Sequence, residues 1–268
     1  MPATAASRST ITALVTGASS GIGAALAALM AADGINLVIT ARRGPETEAM
    51  AADWRQRHGV DVSVIPLDLA RPGAARELVV EIDQRGLAID YLVNNAGFGT
   101  YGHFAVTSVT ETEELLRLNV ESLTILTRLL LPGIIARRGK IMNVASTAAF
   151  QPGPHMAVYY ASKAYVLHFS EALAYELGDS GVSVTSFCPG ATKSGFQQRA
   201  RMQKAAMLNM VKMPSSEEVA RAAWQAMRAG QGVVVPGLLN WLLSRSVRFA
   251  PRRLVTWGSA LVTGPGGK

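Results

Sequence analysis

The sequence predicts an α/β fold: a doubly wound parallel sheet of about seven strands with helices on both faces. Short continuous Val/Ile/Leu runs alternate with longer helical patterns, and a Gly/Ser turn joins the first of each. The 268 residues, 49% hydrophobic, are enough for one large core. In chain order, ITALVT marks a strand at 11–16, and the Ala-rich stretch after the turn marks a helix at 22–33 that Gly34 ends. Strands at 36–41, 61–67 and 89–93 are separated by helices at 46–58 and 73–86. A long apolar helix at 111–136 precedes a strand at 139–145, and a helix at 158–178 precedes a strand at 182–188. Ser215 and Glu218 have capping-box spacing at the start of a helix over 216–229, and the last strand follows at 232–235. With no internal repeat, linker or low-complexity segment, residues 1–268 read as one domain.

Gly17, Gly21 and Gly23 fall between a strand and a helix, spaced GxxxGxG where the commonest dinucleotide fingerprint is GxGxxG. A helix N-terminus carries unpaired N–H groups and partial positive charge, so a pyrophosphate can sit there. Taken alone, the run also fits a plain glycine turn.

Farther on, YYASK sets Tyr159 and Lys163 four residues apart, one face of a helix, with Ser146 upstream in NVAS. A free phenol titrates near about 10, too high for efficient proton transfer at neutral pH. A nearby ammonium stabilises the phenolate, and a drop of roughly 2 to 3 units corresponds to about 3 to 4 kcal/mol. Ser146 is placed to hydrogen-bond a substrate oxygen as charge develops on it. An isolated YxxxK is more often an ordinary pair on an amphipathic helix, so the glycine run and Ser146 are what give this pair meaning.

TGASSGIG at 16–23, NNAG at 94–97, Ser146, Tyr159 with Lys163, and Pro189-Gly190 together resemble the signature set of the short-chain dehydrogenase/reductase family, in order and spacing. The resemblance covers about residues 10–236, and VITARR with PGATKSGF looks most like a broad bacterial group of NADP-dependent reductases. It implies a Rossmann-like fold and carbonyl/alcohol oxidoreduction. Tyr159 matches the general acid/base, Lys163 the residue that lowers its pKa and holds the nicotinamide ribose, and Ser146 the substrate-orienting hydroxyl. Asn119, in LLRLNVESL, matches an asparagine that supports a proton-relay water. The implied cofactor wall comprises Gly17, Ser19, Ser20, Gly21, Ile22, Gly23, Asp68, Leu69, Asn95, Ala96, Gly97, Pro189, Gly190, Thr192 and Ser194. Asn94 fits better as a tie between strands. Ser194 stands where the family often has threonine, keeping the hydroxyl. No metal is implied.

The end of the second predicted strand bears on the cofactor. An acid there accepts hydrogen bonds from the adenosine ribose and repels a 2′-phosphate, whereas arginine pairs with phosphate. Arg42 and Arg43 occupy that place, Arg42 directly after Ala41, which favours NADP(H).

Residues 190–215 read as a substrate lid. Met202, Met207, Met210 and Met213 are interleaved with basic residues there, and methionine adapts to irregular apolar shapes, which suits a bulky or lipidic carbonyl. A fixed helical hairpin filled with methionine is the competing account. His155 fits a turn better than the pocket wall.

The net charge of +7 is confined to the C-terminal part: all 19 Asp and Glu precede residue 219, and seven basic residues follow it. Residues 237–268 form a basic, apolar extension in which Trp241, Leu242 and Phe249 alternate with arginines. Such a segment lies on an anionic membrane surface or covers another subunit or its own pocket; a homodimer or homotetramer is the expected assembly. Nucleic acid is disfavoured because no recognition motif accompanies the charge. The single cysteine, Cys188, ends an apolar strand and is expected to be buried in a reducing compartment. The N-terminus lacks the apolar core of a secretion signal, and no stretch approaches about 20 uninterrupted apolar residues, so a cytoplasmic protein, possible membrane contact aside, is expected. Small-molecule carbonyl or alcohol turnover is the leading reading. Reduction of a 3-oxoacyl thioester, or an NADP-binding regulator or membrane-associated scaffold without turnover, are the alternatives.

Overall fold

The computed structural model describes residues 11–202 and 213–264. Seven parallel strands form one sheet in the order β3-β2-β1-β4-β5-β6-β7. They are β1 (Thr12–Thr16), β2 (Asn36–Ala41), β3 (Val62–Pro66), β4 (Tyr91–Asn94), β5 (Lys140–Val144), β6 (Ser183–Phe187) and β7 (Val233–Val234). The helices are α1 (Gly21–Ala32), α2 (Gly44–His58), α3 (Ala74–Gln84), α4 (Val109–Leu116), α5 (Leu123–Ala136), α6 (Ala157–Glu176), α7 (Phe196–Arg199), α8 (Ser216–Arg228), α9 (Leu238–Ser246) and α10 (Arg252–Thr263). Every strand and helix read from the sequence is present, with ends shifted by a few residues.

Alternate residues along each strand face opposite cores, as a pleated strand covered on both sides requires. Leu14, Val38, Leu92 and Ile141 join α3, α5 and α6 on one side. Ala13, Val15, Leu37, Ile39, Val93 and Met142 join α1, α2 and α8 on the other. Asn94 bridges strands and helix, donating to Asn143 Oδ1 at 2.9 Å and Thr127 Oγ1 at 3.0 Å. Cys188 is buried, as expected.

Local chemistry sets the helix ends. α1 buries Gly23, Leu26, Ala27, Met30 and Ala31, a stripe at i, i+3, i+4, and the chain leaves it through Gly34 at φ +79. α8 begins with the capping box foreseen between Ser215 and Glu218. Trp224 Nε1 and Arg228 Nη1 of α8 reach back to Asp33 Oδ2 at 2.7 and 3.0 Å, tying it to the end of α1.

Val109–Ala136 is one continuous helical stretch of 28 residues, long and apolar enough by composition to span a bilayer. Its buried side packs in the core, and between α4 and α5 it widens into a π-helical turn, Arg117–Ser122. Such turns concentrate at functional sites. This one carries Asn119.

Candidate active site

The order of strands reverses between β1 and β4, and a cavity of about 690 Å³ opens there beyond the carboxyl ends of the strands. Its wall contains every cofactor residue inferred from the sequence, together with Ser146, Tyr159 and Lys163. Asn119 is the exception. It is 1% exposed and lies behind the wall, where its Nδ2 donates to Phe98 O (2.9 Å) and Ser162 Oγ (3.0 Å) and its Oδ1 accepts from Phe98 N (3.1 Å). Ser162 Oγ in turn donates to Tyr159 O at 2.7 Å.

The glycine loop is built for close approach. Gly17 and Gly21 have φ of +69 and +60, and a Cβ on Gly23 would overlap the Asn95 amide and lie 2.5 Å from Gly17 O. Asn95 braces the loop, donating to Thr16 O at 2.9 Å and Gly17 O at 3.3 Å. Ser20 leads α1 without a side-chain cap, which leaves the first-turn amides open toward the cavity. Arg43 Nη2 holds Ser19 through its O and Oγ, each at 3.3 Å. Arg42 lines the cavity with no ion-pair partner among the described residues. An open helix N-terminus flanked by an unpaired guanidinium fits the pyrophosphate and 2′-phosphate of a dinucleotide. Asp68 also turns the chain, accepting from Ala70 N at 3.0 Å.

At the other end, α6 places Tyr159 and Lys163 together as its four-residue spacing requires. Lys163 Nζ lies 5.9 Å from the centre of the Tyr159 ring and donates to Val144 O at 2.7 Å. The expected depression of the phenol pKa is not seen. Burial pushes Tyr159 up to about 12, a hydrogen bond with Ser146 opposing and Tyr160 adding to it. Burial likewise brings Lys163 down to about 8. Desolvation is the largest cause for both and penalises both charged forms, which residue spacing cannot reveal.

Several wall residues went unnoticed in the sequence. Met156 and Tyr160 flank Tyr159, and Leu118 and Phe196 join Met202 on an apolar side, with the Phe196 and Tyr159 rings 5.2 Å apart. Their signal was amphipathic periodicity, indistinguishable from core. Arg199 projects into the wall with its guanidinium 4.1 Å over the Phe98 ring. Its pKa is lowered by desolvation and then by the Arg42 charge, with Asp68 and Glu114 opposing. Within residues 190–215, Met202 is buried and Met213 is partly buried, while Met207 and Met210 lie outside the described residues. His155, at φ +64, packs edge-on against His103 at 4.6 Å and does not line the cavity, in keeping with a turn role.

A parallel sheet with a glycine-loop cleft at its switch point and a Ser/Tyr/Lys cluster inside defines a dinucleotide-binding oxidoreductase class. Residues 11–205 match the family model for short chain dehydrogenase. The chain belongs to that family. It is 36% identical over 186 residues to 11-beta-hydroxysteroid dehydrogenase 1A of Arabidopsis thaliana, covering 69% of this chain and 53% of that one. The chain spans about half the length of such curated relatives. Among solved structures it resembles a short-chain dehydrogenase from Sphingobium yanoikuyae in complex with NADPH, at 34% identity and TM-score 0.79, covering 89% of this chain and 93% of that one. It also resembles the bulky-bulky ketone specific alcohol dehydrogenase from Comamonas testosteroni, at 30% identity and TM-score 0.76, covering 89% and 92%.

Proposed function

We propose that the protein is an NADP(H)-dependent oxidoreductase that interconverts a bulky, apolar ketone or aldehyde and the corresponding alcohol. The observation that carries this is a single cavity with Ser146, Tyr159 and Lys163 at one end and the arginine-flanked glycine loop at the other. The NADPH complex of the Sphingobium relative supports the cofactor, and the bulky-ketone specificity of the Comamonas relative supports the substrate class.

The loop amides from Ser19 to Gly23 bind the pyrophosphate, with the Thr192 and Ser194 hydroxyls beside it. Arg42 pairs with the 2′-phosphate, Arg43 steadies the loop, Asp68 and Leu69 bound the adenine, and Asn95 to Gly97 line the middle. NADPH held there would supply the hydride that reduces the carbonyl carbon. Ser146 donates a hydrogen bond to the carbonyl oxygen, and Tyr159 gives that oxygen its hydroxyl proton. The resulting phenolate is stabilised by the Lys163 ammonium and regains a proton from solvent. Met156, Tyr160, Phe196 and Met202 supply the apolar wall for the substrate's bulk. Exposed Leu116, Leu129 and Ile135 on the α4–α5 stretch support a homodimer or homotetramer.

The test is NADPH oxidation with a panel of bulky ketones, aldehydes, sugars and 3-oxoacyl thioesters, wild type against Tyr159→Phe. Removing the proton donor is expected to cost about 10²- to 10⁴-fold with bulky ketones. Equal rates in the two proteins, or turnover of polar sugars alone, refute the proposal.

A further inference from the structure

The two C-terminal helices are amphipathic the wrong way round for water. α9 turns Asn240 and Ser244 inward and leaves Leu238, Leu239, Trp241, Leu242 and Leu243 exposed. α10 buries Ser259 and Thr263 and exposes Leu254, Trp257 and Leu261, a stripe at i, i+3, i+7. Between them Phe249 is 89% exposed. Arg245, Arg248, Arg252 and Arg253 are exposed on the same segment, and no acidic residue follows Glu218. Arg245 lies over the Trp241 ring at 5.8 Å. α9 also packs against Gly190 of the cleft wall. A Cβ on Gly190 would lie 2.7 Å from Asn240 Nδ2.

We propose that α9 and α10 form a docking platform for an anionic lipid bilayer, with Leu, Trp and Phe side chains in the headgroup–acyl boundary and the four arginines against lipid phosphates. Charge selects this occupant. A second copy placed symmetrically on the face would bring the same arginines together with no acid to meet them, whereas an anionic surface complements them. The proposal does not depend on the reaction, since its readout is binding.

The experiment is flotation of the full chain with phosphatidylcholine vesicles, with and without phosphatidylserine, over a salt series. Wild type is expected to float with the anionic vesicles and to be released as salt rises. The R245E/R248E/R252E/R253E variant should bind on the order of a thousandfold more weakly, from about a fivefold contribution per arginine. W241S/W257S should also lose affinity. NADPH binding by each variant reports its fold, and the salt dependence of wild type stands even where a variant does not fold. Wild type that fails to float, binding to both vesicle types alike at every salt concentration, or a solution dimer that W241S/W257S dissociates, would each overturn the proposal.

Discussion

Replacing Lys163 by methionine should remove a pH-dependent cost to the fold while disabling the protein. Burial brings the Lys163 pKa from 10.5 down to about 8, so the folded state releases this proton more readily than the unfolded chain. Below pH 8 both states are protonated, and the fold carries the full cost of a desolvated ammonium, about 3 kcal/mol at about 1.4 kcal/mol per unit. Between pH 8 and 10.5 the unfolded chain binds the additional proton, so stability rises with pH and the cost fades. Methionine has similar volume and no charge. It forfeits the 2.7 Å bond to Val144 O, a loss common to both pH values. Urea unfolding of wild type and Lys163→Met at pH 7 and pH 10 isolates the charge, because other titrations cancel in the difference. Relative to wild type, the variant should be about 2 to 3 kcal/mol more stable at pH 7 than it is at pH 10. A stability difference that is the same at both pH values would refute the reasoning.

Arg42→Ala should weaken NADPH binding about tenfold to a hundredfold, the worth of a charged hydrogen-bonded pair, and leave NADH unchanged. Arg43→Ala should weaken both, because that side chain braces Ser19; fluorescence titration with the two cofactors separates these outcomes. Gly23→Ala should lower unfolding free energy by about 1–3 kcal/mol and weaken NADPH binding, since the added methyl displaces Asn95 or Gly17. Gly178→Ala, with nothing within 4 Å of its added carbon, is the unchanged control in both urea unfolding and titration. Arg199→Gln should raise the KM for NADPH while kcat is kept, because the guanidinium sits on the cavity wall near Arg42 and Asp68 and away from Tyr159's proton; steady-state kinetics with varied NADPH checks it.

The sheet was legible because both of its faces are covered: strands such as ITALVT and INLVIT must then be continuous apolar runs, and each ends at a glycine or polar turn. The cavity residues were legible because pyrophosphate, 2′-phosphate and proton transfer demand particular residue types at particular spacings. What escaped depends on burial and on partners distant in sequence. LLRLNVESL reads as ordinary helix, and neither its π-helical widening nor the bonds from Asn119 to Phe98 and Ser162 show in that pattern. α10 escaped because RRLVTWGSALVT mixes β-branched residues with small ones, and its inward face is hydroxylic. The upward push of burial on the Tyr159 pKa also escaped, because counting charges in a sequence leaves out desolvation.

The ties from Trp224 and Arg228 to Asp33 join positions nearly two hundred residues apart. On the ribosome, α1 and its glycine loop emerge early, yet α8, which seals α1's outer side, cannot arrive until most of the chain has been made. Nascent chains therefore acquire the nucleotide cradle late and in one step, and a translation product halted before residue 224 would leave α1 without its seal, a substrate for chaperones.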